Sequence, residues 1–317
     1  MRAAYASAIN PDDPLSGLVV GDLDAPSTAA PDDWATVEVR CSALNHHDLW
    51  SLRGVGLSAQ QLPMVLGCDA AGVDENGDEV IVHAVVRDPS DQRGYSLLSE
   101  RYPGTIAERV RVPRENLVPK PANLSFVDAA CLPTAWLTAY HMLVSRGRVA
   151  DAEAVLVQGA GGGVATAAVL IGLSLGKRVY ATSRDPDKRE RVAAFGAVAV
   201  EPGARLPERV GVVIETVGAA TFDHSLKCTA PGGRIVVSGA TAGYLATVDL
   251  RRVFALSLEI LGSSMGTVEE LAALAELAAT RVKPVVDEVV PFSQARSAFE
   301  KLASGNVFGK IVLDHSR

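Results

Sequence analysis

The chain of 317 residues has few cysteines, no excess of positive charge and no long apolar run. Its four cysteines, Cys41, Cys68, Cys131 and Cys228, are too far apart for a Cys-x-x-Cys pair, which excludes a zinc knuckle and a disulfide framework. We interpret each as a buried apolar thiol. Lys and Arg number 30 against 37 Asp and Glu, a net charge of −7. Proteins that bind a phosphate backbone usually carry a basic face, so we expect no nucleic-acid partner.

The hydrophobic segments are too short for a membrane protein. A membrane-spanning helix needs about 20 consecutive apolar residues. The most apolar stretch, residues 164–175, is shorter and contains Gly172. The N-terminus has no apolar run and carries Asp12 and Asp13, unlike a secretory signal. We therefore expect a cytoplasmic protein without a membrane partner.

Short strands separated by turns dominate the first 125 residues. Residues 36–41 alternate apolar and polar side chains, which is typical of a strand with one face in water. Residues 80–83 and 109–113 are further predicted strands. Turn sequences lie between them, such as Pro-Asp-Asp-Pro at 11–14 and Glu-Asn-Gly-Asp at 75–78. The pattern predicts a compact, barrel-like β domain.

The pattern changes after Pro121. Ser125 and Asp128 have the spacing of a helix capping box, and a helix is predicted over 127–144 with a break at Pro133. Further along, strands are predicted at 155–157, 178–182, 210–215, 234–238 and 259–261, and helices at 164–175, 186–195, 221–228 and 268–279. Apolar strands that alternate with helices predict an α/β domain with a doubly wound parallel sheet. The final strand, helix and strand, at 285–290, 293–302 and 309–313, either extend this sheet or return to the β domain.

A glycine-rich loop follows the strand at 155–157 and opens the next helix. Its residues are Gly159, Ala160, Gly161, Gly162, Gly163 and Val164. Small residues here allow a tight turn and a close approach of the backbone to a pyrophosphate, and the helix N-terminus offers N–H groups to the phosphates. Because strand, loop and helix lie within one βαβ unit, they predict a dinucleotide-binding site.

The end of the second strand predicts which dinucleotide binds. NAD sites usually have an Asp or Glu there that binds the ribose hydroxyls. Here the strand at 178–182 ends in Ser183 and Arg184, and Lys188 follows. A hydroxyl and a guanidinium suit a 2′-phosphate, so we predict NADPH. The alternative for Arg184 is a solvated surface charge.

Six segments match one family in its own order. They are Ala-Leu-Asn-His-His-Asp-Leu-Trp at 43–50, Leu-Gly-Cys-Asp-Ala-Ala-Gly at 66–72, Thr-Ala-Tyr at 138–140, the glycine loop, Glu-Thr-Val-Gly at 215–218 and Gly-Lys-Ile-Val-Leu at 309–313. The chain thus resembles the medium-chain dehydrogenase/reductases, and within them the zinc-independent quinone oxidoreductase branch. The resemblance implies a GroES-like β-barrel-type catalytic domain, residues 1–122 completed by 283–317, and a Rossmann NADP-binding domain, residues 123–282.

The resemblance also locates the family's catalytic zinc ligands. Those positions hold Asn45, Cys68 and Thr134, so at most one soft ligand remains where a catalytic zinc normally has three protein ligands. The segment 87–101, where the family's structural zinc lobe would lie, contains no cysteine. The resemblance therefore implies a zinc-free oxidoreductase. Without a Lewis acid for alcohol oxidation, the expected substrate is a small electrophile, a quinone or an α,β-unsaturated carbonyl compound.

Catalytic and pocket residues follow from the same resemblance. Asn45, His47 and Thr134 are candidate donors to the enolate or hydroquinone anion, and Asp48 either orients a histidine or binds backbone N–H groups. Trp50, Cys68 and Leu132 are expected to line the substrate pocket. His46 and His47 are alternatively ordinary, partly exposed histidines, Trp50 and Leu132 core residues, and water the proton donor. Family members that reduce enoyl thioesters use a tyrosine where this chain has Val55, which counts against a thioester substrate.

The resemblance places the nicotinamide near Thr138. Further expected cofactor contacts are Thr216, Val217, Gly239, Ser263, Ser264, Met265 and Lys310. The family commonly forms dimers through the edge strands of its doubly wound sheets. The strand at 259–261 is the predicted edge, so we expect a homodimer.

Two other functions remain compatible with the sequence. One is a zinc-type alcohol dehydrogenase. The other is a non-catalytic NADPH-binding redox sensor or structural protein, since the fold and the glycine loop would be the same.

Overall fold

A computed structural model describes residues 1–24 and 33–316. The chain divides into two compact units, here called the first unit (Met1–Thr134 with Thr267–Arg317) and the second unit (Ala135–Gly266). These limits differ from the predicted domain boundaries. Residues 123–134 and the predicted helix at 268–279 were expected in the nucleotide-binding domain, and they lie in the first unit.

The strands and helices are numbered in chain order. Up to the end of α2 they are β1 (Arg2–Ala6), β2 (Leu18–Asp22), β3 (Trp34–Ala43), α1 (His46–Leu52), β4 (Met64–Val65), β5 (Asp69–Asp74), β6 (Glu79–Val82), β7 (Val85–Arg87), β8 (Tyr95–Leu97), β9 (Arg109–Pro113), β10 (Leu117–Pro119) and α2 (Phe126–Ala130). The later elements are α3 (Leu137–His141), β11 (Ala154–Val157), α4 (Gly163–Ser174), β12 (Arg178–Thr182), α5 (Pro186–Ala194), β13 (Val198–Val200), β14 (Val210–Glu215), α6 (Phe222–Cys228), β15 (Thr229–Val237), α7 (Leu250–Ala255), β16 (Glu259–Gly262), α8 (Val268–Thr280), β17 (Val286–Pro291), α9 (Ala295–Ser304) and β18 (Lys310–Asp314). In the part of the chain that the structure describes, no helix has the length and apolar character needed to span a membrane.

The long strand β3 organises the main sheet of the first unit. It pairs antiparallel with β5, β9 and β18. Its side chains alternate as predicted, with Ala35, Val37 and Val39 buried. An alternating strand buries one face in the core and leaves the other accessible. The buried face of β3 contributes these side chains to the apolar core of the barrel-like sheet.

The C-terminal segment returns to the first unit, which decides between the two predicted alternatives. β18 pairs with β3 and runs parallel to β17. The preceding helix α9 buries Ala295, Ala298, Phe299 and Leu302 in the core of this unit. Their spacing of three and four residues places them on one helix face, as amphipathic packing requires.

The second unit contains a parallel sheet. Among the described residues it has six strands in the order β13-β12-β11-β14-β15-β16, and every neighbouring pair is parallel. The central strand β11 is buried along its whole length, as a strand covered on both faces must be. The predicted doubly wound α/β fold is confirmed. The strand order reverses between β11 and β14, where such sheets bind ligands.

The helix predicted over 127–144 is interrupted. Ser125 caps α2 as predicted, its Oγ accepting from Asp128 N at 3.1 Å. The helix then opens into π turns at Leu132–Trp136 and Met142–Arg146, on either side of α3. Pro133 lacks an N–H group, so the regular hydrogen-bond ladder cannot continue through it.

Candidate functional site

The glycine loop connects β11 to α4 at the carboxyl edge of the parallel sheet. Gly159 and Gly161 have φ angles of +76° and +117°, which L side chains rarely adopt. A Cβ on Gly159 would lie 2.5 Å from Val217 Cγ2, and one on Gly161 would lie 2.7 Å from Lys188 Cδ. Both positions therefore favour glycine by conformation, and Gly159 also by space, whereas the flexible Lys188 side chain could move away from a Cβ on Gly161.

The loop leaves an open cradle at the start of α4. Gly162 is the N-cap of this helix, and a Cβ there would meet nothing within 4 Å. Thr182 holds the loop, because Gly159 N donates to its Oγ1 at 3.1 Å and Ala160 N donates to its carbonyl oxygen at 2.6 Å. Free helix N–H groups beside open space fit the pyrophosphate of a dinucleotide.

Ser183 and Arg184 follow β12 directly. Ser183 is buried and its Oγ accepts from Asp185 N at 3.2 Å, whereas Arg184 is exposed. Asp185 caps α5, and its Oδ1 accepts from Asp187 N at 2.9 Å and Lys188 N at 3.3 Å. The first carboxylate after the strand is therefore bound to the N–H groups of its own helix.

The other predicted cofactor residues of the second unit collect near the same sheet edge. Thr216 and Val217 follow β14, and a Cβ on Gly239 would lie 3.0 Å from Thr216 O. Thr138 Oγ1 donates to Met265 Sδ at 3.9 Å. Two serines after β16 differ in exposure: Ser264 is exposed, and the buried Oγ of Ser263 has no hydrogen-bond partner among the described residues.

In the first unit, Lys310 forms a buried cationic centre. Its Nζ donates to Leu44 O at 2.6 Å, Asn45 Oδ1 at 2.6 Å and Asp69 Oδ2 at 2.8 Å. Lys310 is 2% exposed and Asp69 is 0% exposed. All three ammonium hydrogens have protein acceptors, so the lysine compensates the Asp69 charge. The expected contact between Lys310 and the cofactor stays a prediction.

His47 is held between a thiol and a carboxylate. Its Nδ1 lies 3.6 Å from Cys68 Sγ and its Nε2 lies 3.1 Å from Glu100 Oε1. The Cys68 thiol donates to Leu98 O at 3.2 Å, so its hydrogen is used there and both ring nitrogens act as donors. Burial opposes the charged ring, but Cys68 and Glu100 raise the pKa of His47 well above its ordinary value.

Asn45 and Asp48 build the first turn of α1. Asn45 is the N-cap, and its N–H donates to Asp48 Oδ2 at 2.8 Å. Of the two predicted roles for Asp48, the structure shows the binding of a backbone N–H group. Burial raises the pKa of Asp48 to about 6.

The remaining predicted residues of the first unit differ in exposure. Leu132 is fully buried and Trp50 half-buried. The hydroxyl of Thr134 is buried and finds no hydrogen-bond partner within residues 1–24 and 33–316. Val55, the counterpart of the thioester reductases' tyrosine, is 59% exposed. The pocket roles of Trp50 and Leu132 stay predictions.

Comparison with known proteins agrees with this arrangement. A model of the alcohol dehydrogenase GroES-like domain matches residues 31–122, and a model of zinc-binding dehydrogenases matches residues 190–313. A zinc-type alcohol dehydrogenase-like protein of Schizosaccharomyces pombe is 31% identical over 310 residues, which cover 87% of this chain and 89% of that protein. The chain belongs to the medium-chain dehydrogenase/reductase superfamily.

Two further members of the superfamily cover nearly the whole chain. An acryloyl-coenzyme A reductase of Metallosphaera sedula is 28% identical over 94% of this chain and 96% of its own length. A crystal structure of an NAD-dependent alcohol dehydrogenase superposes with a TM-score of 0.88, at 35% identity and with 99% of both chains covered. The predicted family and two-domain α/β fold are confirmed, and the function at this level is that of an NAD(P)-dependent oxidoreductase.

Zinc enzymes occur in the superfamily, but the corresponding positions of this chain offer few zinc ligands. At the aligned ligand positions, Asn45 Oδ1 already accepts from Lys310 and Cys68 Sγ lies against the His47 ring. Within the described residues, no three His, Cys, Asp or Glu side chains are grouped so that they could hold a metal ion. These donors do not fit a catalytic zinc, which normally has three protein ligands.

Sequence reasoning missed Glu100 and its neighbour Arg93. Glu100 is 53 residues from His47, and Arg93 Nη2 donates to Glu100 Oε2 at 3.3 Å. In the segment 87–101 the family resemblance draws attention to the lack of cysteine, and it says nothing about the charged residues. The available signal was the Glu100 carboxylate, which lies in the segment where the family's structural zinc lobe would be. No local sequence pattern connects Glu100 to His47.

Proposed function

We propose that this superfamily member is a zinc-free, NADPH-dependent reductase that transfers hydride to an activated alkene, such as an α,β-unsaturated carbonyl compound or a quinone. The observation that carries the proposal is the Lys310 ammonium, 2.6 Å from Asn45 Oδ1 and 2.8 Å from Asp69 Oδ2. A fixed positive charge at these oxygens disfavours a second cation. Alcohol oxidation needs a Lewis acid to lower the alcohol pKa, whereas a conjugated alkene is already electrophilic.

The substrate class has support from one relative and a counter-indication from one residue. The acryloyl-coenzyme A reductase is named for the reduction of a conjugated thioester. Val55, where thioester reductases have a tyrosine, favours an enone or a quinone instead. The three electrophiles share a carbon–carbon double bond conjugated to a carbonyl group, and this conjugated system accepts the hydride. Hydride and a proton saturate the double bond of an enone or an enoyl thioester, and they convert a quinone to a hydroquinone.

The preference for NADPH is supported by the end of β12. Arg184 is exposed and free to approach a 2′-phosphate, and Lys188 lies one turn further along. Asp185, which could bind ribose hydroxyls as in NAD enzymes, caps α5 through its Oδ1. An acid fixed on its own helix leaves the basic side chains to decide the preference.

NADPH, when bound, supplies the hydride, and the chain must stabilise the anion that forms. We assign hydrogen-bond donation to Asn45 and Thr134. Asn45 Oδ1 is fixed on Lys310, and within the part of the chain that the structure describes its Nδ2 makes only a long 3.5 Å contact with Ala43 O. The Thr134 hydroxyl has no other partner among the described residues.

His47 is a weaker candidate for the proton donor than its sequence position indicated. Both of its ring nitrogens have protein partners, so a proton leaves only when one of these contacts opens. Its role as a general acid stays a prediction. The measurement is the pH–rate profile of His47→Ala, and an unchanged profile removes His47 from the mechanism.

We further propose a homodimer formed through β16 and, from the sequence alone, a cytoplasmic location. β16 is one of the two edge strands of the parallel sheet among the described residues, and its Ile260 is 41% exposed. Large apolar side chains are also exposed nearby in the sequence, namely Tyr244, Leu245, Leu250 and Phe254. Ile260→Glu should convert the dimer to a monomer in light scattering, because a buried unpaired carboxylate is costly. A wild-type protein that is already monomeric contradicts this proposal.

A substrate panel tests the reaction. We expect NADPH oxidation with at least one of a quinone, an enone and an enoyl thioester, and slower oxidation with NADH. Oxidation of simple alcohols with NADP⁺ but no alkene reduction would favour a zinc-type alcohol dehydrogenase. Tight NADPH binding without any turnover would favour a non-catalytic cofactor-binding protein.

A further inference from the structure

Glu215 is a buried carboxylate that has only neutral partners. It is 0% exposed at the end of β14, and no ion pair among the described residues includes it. Its Oε1 accepts from Val217 N at 2.9 Å and Gly218 N at 3.0 Å. Thr221 Oγ1 also donates to Oε1, at 2.9 Å, and Ser225 Oγ donates to Oε2 at 2.6 Å. A buried carboxylate is usually paired with a cation, so this one needs another explanation.

The two backbone donors belong to the turn that follows β14. Gly218 has a φ of +90°, and a Cβ there would lie 2.3 Å from Gly243 O. Val217 Cγ2 packs against the glycine loop, at the place where Gly159 has no room for a side chain. The turn is thus tightly constrained, and one carboxylate oxygen satisfies both of its consecutive N–H groups.

A buried hydrogen-bond chain connects this carboxylate to the glycine loop. Ser225 Oγ accepts from Gln158 Nε2 at 3.0 Å, and Gln158 Oε1 accepts from Thr182 Oγ1 at 2.7 Å. Thr182 Oγ1 in turn accepts from Gly159 N at 3.1 Å. Each hydroxyl donates toward one neighbour and accepts from the other. Gln158 Nε2 also contacts His224 Nδ1 at 3.0 Å, so the acceptor at Glu215 and the His224 ring together set the direction of these bonds.

We propose that Glu215 is a positioning residue that holds the Val217–Gly218 turn in the conformation that receives the nicotinamide end of the cofactor. The role rests on the proposed cofactor site and does not depend on which substrate is reduced. Glu215 does not contact the reacting atoms. It acts through the backbone of the turn, and its Oε1 is held there by Val217 N, Gly218 N and Thr221 Oγ1.

Glu215→Gln keeps the size of the side chain but replaces one acceptor oxygen with an NH2 donor. The hydrogen bond between this group and Ser225 must then reverse its direction. If its amide oxygen binds the turn, its NH2 group must donate to Ser225 Oγ. The Ser225 hydrogen would then point at Gln158 Nε2, which is itself a donor. Donors cannot pair with donors, so the amide must move and the turn loses its acceptor.

The test compares two ligands that differ only in the nicotinamide. We measure the affinity of wild type and Glu215→Gln for NADPH and for 2′-phospho-ADP-ribose by isothermal titration calorimetry. We expect the affinity of the variant for NADPH to fall about tenfold or more, and its affinity for 2′-phospho-ADP-ribose to stay within about twofold. An equal loss for both ligands, or no loss for either, overturns the proposal, since a merely structural residue would not distinguish them.

Two further variants complete the test. Ser225→Ala is the matched control. It breaks the hydrogen-bond chain to the glycine loop but leaves Glu215 Oε1 on the turn, so the ratio of the affinities for NADPH and 2′-phospho-ADP-ribose should not change. If Glu215→Gln fails to fold, Thr221→Val loosens the same carboxylate without removing it. It should lower the affinity for NADPH alone, and an equal loss for both ligands again overturns the proposal. A wild-type protein that binds neither ligand contradicts the proposed cofactor instead.

Discussion

Removal of the Lys310 ammonium should destabilise the first unit strongly. Lys310→Met keeps the aliphatic volume but leaves Asp69, which is 0% exposed, without its cation. Loss of one partner of a buried ion pair costs about 3–5 kcal/mol, because the remaining charge stays desolvated. Asn45 Oδ1 and Leu44 O lose their donor as well, so we expect the upper part of this range.

A second lysine provides a matched control. Lys301 Nζ lies 2.7 Å from both Asp287 Oδ2 and Glu288 Oε2, but its side chain is 34% exposed. Exposed pairs contribute about 0–1 kcal/mol, so Lys301→Met should change little. The assay is urea unfolding followed by tryptophan fluorescence. Similar losses for Lys310→Met and Lys301→Met would refute the reasoning that burial makes Lys310 indispensable.

A double variant separates charge compensation from packing. Asp69→Asn in the Lys310→Met background removes the orphan charge, so the double variant should be more stable than Lys310→Met alone. Two residues in direct contact are expected to show such non-additivity. If the two losses simply add, the lysine stabilises the fold through its aliphatic chain rather than its charge.

Two other predictions concern the histidine and the cofactor. Glu100→Gln should lower the pKa of His47, as an NMR titration of its ring would show, while the His46 signal stays in place as the control. Because the pKa of His47 is raised in the folded protein, its protonation stabilises the fold. This contribution to the free energy of unfolding is fully present below pH 6.5 and is lost as the pH rises through the folded-state pKa. Glu100→Gln should therefore weaken the pH dependence of stability. An unchanged His47 pKa would show that Glu100 does not hold the proton on the ring. Arg184→Ala should raise the KM for NADPH about 10-fold or more and change that for NADH little, because the lost contact is to the 2′-phosphate; equal changes in both KM values would return Arg184 to the class of solvated surface charges.

Much of the fold could be predicted because its signals are local. The strands β9, β12 and β14 begin and end where the apolar patterns predicted. The helix pattern of α8 was also correct, but the helix lies in the first unit and not with the parallel sheet to which the sequence pattern assigned it. An amphipathic pattern shows that a helix has a face to bury, and it does not show which sheet that face covers.

The candidate site also has a part with local sequence signals, which could be predicted, and a part with non-local contacts, which could not. The glycine loop is a contiguous strand, loop and helix, and all of its chemistry lies within one segment. The contacts of the first unit are non-local: Lys310 and Asp69 are 241 residues apart, and Glu100 lies far from His47. Their pairing follows from the return of β18 to β3, which no periodicity in a single segment contains. The occupation of both His47 nitrogens and of the Asn45 oxygen was therefore beyond sequence reasoning.

The central claim is hydride transfer to an activated alkene without zinc. The most direct measurement is NADPH oxidation by protein dialysed against a chelator, with an enone and a quinone as substrates and the zinc content determined on the same sample by mass spectrometry. We predict undiminished turnover by protein that holds no stoichiometric zinc. Turnover that is lost on chelation and restored by zinc would contradict it.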